Sequence, residues 1–589
     1  MKLLFSLVLF LAAITLPFLD VQACGPDFSP DVFVRTLHAD LPTDYAAGKL
    51  GVLLPSYPRA DLAVAYRYLN GGTLTAEEQR AYHPALSLAE EVREDDDADA
   101  NQAAAAATTA QYAEPPGPAD EWLKERARYA PPQPDLHPVR EYNMIYTAGF
   151  FLAANYENCQ ADAFSTAVVT LNSRAKTWGA KSAELADWIK GQDAVFSNCG
   201  HSSQDTYFPD KRIVIYPSSP VAAPANSPAL LGQDRAYQIA AAQFYSAQLA
   251  AARTSFQAIA QDETSPWRGI ACYLVARALI REAFLTAKNG PDDVMASFDL
   301  DLMKQAQREL ESMRAEHLPG ISSHAVQNLL NLVRIRTEPQ ARLREISTAL
   351  AGPKTDPYYQ EDLGDLTWYL NVKLDSLPIR EDADDGYFNV QRPKDDYSPL
   401  KPEQKIPGFE KAFKDVADLR SVSPLVDWLV TFQSPSQAAK KHGLAEWKRT
   451  DSAPWLAATL IKASPSDPSV PDLIDAAGRV PSVSPAWLTV TYHRERLLVD
   501  TGKAQQAAAE IDANMPAIKQ AGSDSAVNLF TGLRMRSAAT LDIALAYAPR
   551  KILERTSEEQ SSIDECLYVM KDPKRKYDSK KDTSPVEFR

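Results

Sequence analysis

Ser265-Pro266-Trp267-Arg268-Gly269-Ile270-Ala271-Cys272-Tyr273-Leu274 is the stretch on which the reading of the fold turns. Serine is a good helix N-cap, and proline fits the first helical turn, where its missing N–H costs nothing. Counting from Trp267, the residues Ile270, Ala271 and Leu274 follow at three, four and seven positions. That spacing gathers them on one face of a helix. The large side chains can fill a groove, and the small one at 271 lets a paired helix come close.

The same arrangement recurs on both sides. Upstream, Ala240 takes the small position, Ala252, Phe256 and Ile259 carry a second helix at spacings of four and three, and Pro266 closes the unit. Downstream, Ala306, Leu310 and Met313 repeat the second-helix spacing after an insertion around Asn289-Gly290-Pro291. Gly502, Ala504, Ala507 and Ile511 do so again after a helix that begins near Trp487. Ala453-Pro454-Trp455 and Ser484-Pro485-Ala486-Trp487 copy the opening signal, and Tyr146 and Phe150 lead into Tyr156, Cys159 and Ala163 as an earlier copy. Together these units resemble the tetratricopeptide repeat (TPR), whose first helix follows Trp-x2-Leu-Gly-x2-Tyr. The resemblance implies an all-α fold, a degenerate TPR-like α-solenoid of helical hairpins with an irregular N-terminal segment and proline-rich interruptions. It implies a contact surface on the first helices, at Ala236–Gln243, Trp267–Leu274 and Thr491–Leu498.

Composition shifts divide the chain into a signal peptide at 1–23, an irregular N-terminal segment at 24–89 and an acidic, Ala- and Pro-rich linker at 90–119. A TPR-like helical region follows at 120–379, then a proline-rich linker at 380–407, a second TPR-like region at 408–555 and a polar, partly basic tail at 556–589. Within 90–119, the run Glu94-Asp95-Asp96-Asp97 and the alanines 103–107 lack the apolar surface that would order them. A further proline-rich break at 208–228 holds Arg212-Ile213-Val214-Ile215-Tyr216 as an extended piece.

The N-terminus predicts export. Met1-Lys2 is followed by an apolar run, Leu3 to Leu19, and Val21-Gln22-Ala23 sets small or apolar residues before a cut at Cys24. Cys24 invites lipid attachment, because Val21-x-Ala23-Cys24 partly resembles a bacterial lipobox; ordinary cleavage that leaves a cysteine first is the other reading. The expected place is outside the cytoplasmic membrane of a bacterium, periplasmic or at the outer membrane or cell surface, with membrane contact only through a lipid on Cys24. Of the five cysteines, Cys159 and Cys199 are the disulfide candidates for an oxidising compartment. The net charge of −15 argues against a nucleic-acid partner, which would need Lys and Arg to neutralise phosphates.

Motifs for chemistry are missing: no His-Glu-x-x-His, no Gly-x-Ser-x-Gly and no phosphate loop occurs. Hence no catalytic, cofactor-binding or metal-ligating residue is assigned. Two tryptophans are candidate ligand contacts, Trp188 in Asp187–Asp193 and Trp447 in Lys441–Arg449; the favoured reading of each is a packed helix residue, Trp188 on a helix ending at Gly191. The expected function is an exported scaffold that binds a protein or peptide in the cell envelope, without catalysis. The alternatives are a carbohydrate-binding surface lipoprotein, SusD-like in architecture only, with a glycan ligand, and an α-helical polysaccharide-active enzyme.

Overall fold

The computed structural model describes residues 33–35, 39–40, 42–82, 117–131, 143–145, 156–199, 219–286, 298–316, 320–374 and 407–553. The expected signal segment at 1–23, Cys24, Cys566, residues 83–116, Tyr146, Phe150, residues 212–216, 289–291 and 380–406 and the chain from 556 lie outside them.

In chain order the elements are α1 (Pro42–Ala46), α2 (Arg59–Leu69), α3 (Pro118–Ala127), β1 (Asn143–Ile145), β2 (Tyr156–Asn158), α4 (Ala161–Trp178), α5 (Ala183–Phe196), α6 (Ala229–Tyr245), α7 (Leu249–Gln261), α8 (Arg268–Leu285), α9 (Leu300–Glu316), α10 (Ser323–Thr337), α11 (Pro339–Ala351) and α12 (Tyr359–Leu374). There follow α13 (Pro407–Asp415), α14 (Ala417–Arg420), α15 (Pro424–Gln433), α16 (Gln437–Thr450), α17 (Ala453–Lys462), α18 (Val470–Gly478), α19 (Trp487–Asp500), α20 (Ala504–Gln520), α21 (Asp524–Arg536) and α22 (Leu541–Ala546). Among the described residues the chain is all-α apart from one antiparallel ribbon, β1 on β2, with Met144 opposite Glu157.

The chain forms two compact units. One takes its described residues from 75–374 and 407–438, the other from 33–74 and 439–553. This differs from a split at the proline-rich stretch 380–407, because the prolines of 24–74 conceal a buried segment that packs on the C-terminal helices.

In the first unit each helix from α3 to α12 packs on the next in sequence. The spaced residues explain how. Ala240, Ala252, Phe256, Ala271, Ala306 and Leu310 are all 0% exposed, and they share one core with Leu274, Leu330 and Val333. Alanines at 271, 276, 278 and 283 bring the backbones on either side of α8 close. A second core gathers Trp122, Phe164, Leu171, Trp188, Phe196 and the cystine.

Three local readings are corrected. Tyr156 sits in β2, not on a helix, and α4 begins only at Ala161. Cys159 turns the corner between them with a left-handed φ of 56°, which a continuing helix cannot accommodate. Next, α8 opens two residues beyond Pro266, with Trp267 at the cap; Ser265 Oγ accepts the Trp267 N–H at 3.2 Å. Finally, α5 runs through Gly191 to Phe196. The glycine serves close approach instead, since a Cβ there would collide with Gln238 and Arg235 of α6.

The other unit strings α17 to α22 in order, each on the next, with α2 against α17. Its core includes Trp487, Ile511, Ile518 and Phe530, completed by Val52 from the N-terminal segment.

Candidate functional site

With alanines turned toward its neighbours, α8 leaves one stripe for larger groups. Tyr273, Arg277, Arg281 and Phe284 lie four, four and three residues apart, on one helical face. The stripe meets side chains from the next-but-one helices on either side, α6 and α10. From α6, Phe244 lies 4.0 Å from the Arg281 guanidinium and 5.8 Å from that of Arg277, which also lies 6.0 Å from the Tyr273 ring. From α10, Arg336 lies 5.3 Å from the ring of Phe284 and 4.3 Å from that of Trp368 on α12. Four alternate helices, α6, α8, α10 and α12, thus share one row of arginines interleaved with aromatic rings, a favourable cation–π geometry.

The corner after β2 braces one end of this row. Asn158 Oδ1 accepts from Arg281 at 3.0 Å while its Nδ2 donates to the Tyr245 carbonyl at 2.9 Å. Gln160 Oε1 accepts from Arg277 Nη2 at 3.2 Å. Both residues flank Cys159, which is bonded to Cys199 with a Cα–Cα distance of 5.8 Å. The disulfide therefore holds the segment that positions the two arginines.

The electrostatics set this row apart. Arg126, Arg174, Arg235 and Arg253 each meet a carboxylate, at 2.7, 2.6, 2.8 and 3.3 Å, and Arg342 pairs with Asp362. Among the described residues, Arg277 and Arg336 have no carboxylate within salt-bridge distance. Arg277 spends one donor on Gln160. Arg336 spends one on the Leu332 carbonyl, and its Nε is buried without a partner. Burial pulls the Arg336 guanidinium down to about 10, with Asp365 pulling the other way. Beside Arg277, burial pushes the hydroxyls of Tyr237, Tyr245 and Tyr273 up, and Asp162 adds to each shift. All three rings are half-buried.

The residues singled out from sequence lie elsewhere. Trp188 is 2% exposed, edge-on to Trp122 at 6.3 Å, and Trp447 is 8% exposed on α16. Neither presents a ring face to a ligand. All nine tryptophans fall among the described residues, six buried and three half-buried. Trp267 is stacked under Tyr237 at 4.1 Å, with its Nε1 donating to Asp234. The expected contact surface at Thr491–Leu498 is not a surface: α17, α18, α20 and α21 pack around α19, and Thr491, His493, Glu495, Leu497 and Leu498 are buried. At Ala236–Gln243 and Trp267–Leu274 the helices keep half-exposed positions next to the arginine row.

Of other sites, a small concavity of the second unit is lined by Asp40, Lys49, Gly51, Tyr57 and Ser523. Its polar groups satisfy each other, since Asp40 accepts from Ser523 Oγ and the Ser525 N–H at 2.7 and 2.9 Å. Among the described residues no group of His, Cys, Asp and Glu is arranged to hold a metal, and no helix is long and apolar enough to cross a membrane. No protein-family model, curated protein or solved structure matches this chain. The arginine row escaped the sequence reading because its members lie on four helices. The one local signal was the four-residue spacing of Tyr273, Arg277 and Arg281.

Proposed function

We propose that this chain is an exported helical-repeat scaffold, a degenerate TPR-like α-solenoid, that holds a protein or peptide partner in the bacterial envelope. The observation that carries the reading is the row of half-buried Tyr273, Arg277, Arg336 and Trp368 across α8, α10 and α12, seated on the buried ring of Phe284. A row of this kind has more polar donors than the protein itself uses. Interfaces favour tyrosine, tryptophan and arginine, which combine large contact area with directional donors. Repeat proteins commonly bind along successive first helices. A glycan reading lacks its main support, because sugars stack on open rings and no tryptophan is exposed. A lipid on Cys24 would tether the scaffold to a membrane.

Cross-linking in the native envelope tests this, followed by affinity purification and mass spectrometry. A stoichiometric protein partner that survives high salt, and is depleted in Tyr273→Ala, is the expected result. Recovery of the bait alone from both proteins would sink the reading.

A further inference from the structure

We propose that the face shared by α6, α8, α10 and α12 takes an acidic peptide segment, with carboxylates about three residues apart bound by Arg277 and Arg336. The proposal rests on the scaffold reading above and adds the chemistry of the partner.

A guanidinium carries five N–H donors and no acceptor. Arg277 commits one to Gln160, and Arg336 commits one to a backbone carbonyl. Taking a cation partly out of water without a counter-ion is unfavourable. In the same unit, five other arginines answer that cost with a carboxylate of their own. At these two no carboxylate comes within salt-bridge distance among the described residues; Asp365 acts on Arg336 only from further off, neighbouring rings face both guanidiniums, and donors remain. A carboxylate oxygen arriving there gains a charge-assisted hydrogen bond against an already fixed cation. Two guanidiniums without an ion-pair partner present positive charge that an acidic segment complements.

The spacing follows from the helix. Arg277 and Phe284 are seven residues apart, on the order of 10 Å along α8, and Arg336 sits over Phe284. A peptide in the polyproline II conformation advances about 3.1 Å per residue with three residues per turn, so carboxylates three positions apart share one face roughly 9 Å apart and match the two guanidiniums. Tyr273 continues the stripe with a half-buried ring and a hydroxyl that has no hydrogen-bond partner among the described residues. A peptide is favoured over an acidic polysaccharide because the aromatic faces are taken. Trp368 is covered by Arg336 and Trp267 by Tyr237, so neither of these indoles offers that face to a sugar ring.

The test uses the full chain and two fluorescein-labelled decapeptide pools. One carries two glutamates three residues apart in a neutral background, and the other has glutamine at both places. Fluorescence anisotropy should show the glutamate pool binding about tenfold tighter at low salt. The preference should shrink as salt rises to about 0.5 M. Arg277→Gln should erase the preference, Arg277→Lys should restore part of it, and Arg336→Gln should reduce it separately. Unchanged melting of Arg277→Gln certifies its fold. Equal binding of both pools, or a preference indifferent to Arg277→Gln, overturns the charge assignment and leaves the scaffold reading standing. Tighter binding of polygalacturonate than of the glutamate pool overturns the choice of a peptide. Failure of the scaffold reading is distinct: no pool binds, and Tyr273→Ala leaves the envelope cross-links unaltered.

Discussion

Glu495 is fully buried within α19. Its Oε1 accepts from Arg494 at 2.7 Å, and its Oε2 is buried without a partner. Arg494 is shared, because it also holds Glu510 on α20 and donates to the Ile474 carbonyl. Burial outweighs that divided cation and raises the carboxyl from 4.5 to about 7. The folded state binds its proton more tightly than the unfolded chain does, so the contribution of Glu495 to stability is fully present below pH 4.5 and is lost as pH rises through about 7. Glu495→Gln should therefore stabilise this unit by up to roughly 3 kcal/mol at pH 8 and by little at pH 4, read from urea midpoints at the two pH values. An equal gain at both would mean that the ionised form carries no penalty. Single residues show well what sequence can reveal. Ala240, Ala252, Phe256, Ala271 and Leu310 announced their burial by spacing alone, since helical periodicity is local. Glu495 did not, because its environment is made by α18 and α20, beyond any window of α19.

At the scale of elements, helix–helix order was legible and the joints were not. The hairpin α6–α7 and the burial of Ala306, Leu310, Ala507 and Ile511 follow the spacing. The stretch before α4, in contrast, looks helical in sequence but forms β2 and a left-handed corner at Cys159. What settles it is a bond to Cys199, a constraint from 40 residues away. Both cysteines are buried, at 1% and 0% exposure. In a chain-entropy account a loop of that size stabilises the fold by about 4 kcal/mol. The double variant Cys159→Ser, Cys199→Ser should lose about that much in denaturant unfolding. Asn158 and Gln160, freed from the corner, should stop bracing Arg281 and Arg277. Hydrogen exchange should then quicken at 156–160 and in the last turns of α6. If it quickens nowhere near the ribbon, the cystine stabilises the unit without positioning the arginine row.

At the scale of the molecule, the unit that ends the chain also begins with it. Residues 24–89 carry enough proline to read as an irregular lead-in, yet Leu53 and Leu62 are 0% exposed and Tyr45 is 1% exposed. Several partners of this segment lie more than 400 residues away, which no local pattern can announce. Leu53 N–H donates to Thr489 Oγ1 at 2.9 Å, Asn528 Nδ2 donates to the Phe33 carbonyl at 2.9 Å, and Asp40 caps α21 beside its own N-cap, Ser523. Val52 fills the core between Trp487, Ile511 and Phe530. A chain starting at residue 83 should therefore expose Trp487 and Phe530 and lose the cap of α21. Removing several fully buried side chains at 1.5–3 kcal/mol each approaches the roughly 5–15 kcal/mol that holds a domain together. Amide exchange in α19 to α21 should rise to near-unfolded rates, while α6 to α9 stay protected, since their core includes no residue from before 83. Protection that persists in α19 to α21 would mean that the C-terminal helices fold on their own. Loss of protection in α6 to α9 as well would mean that the two units unfold as one cooperative body.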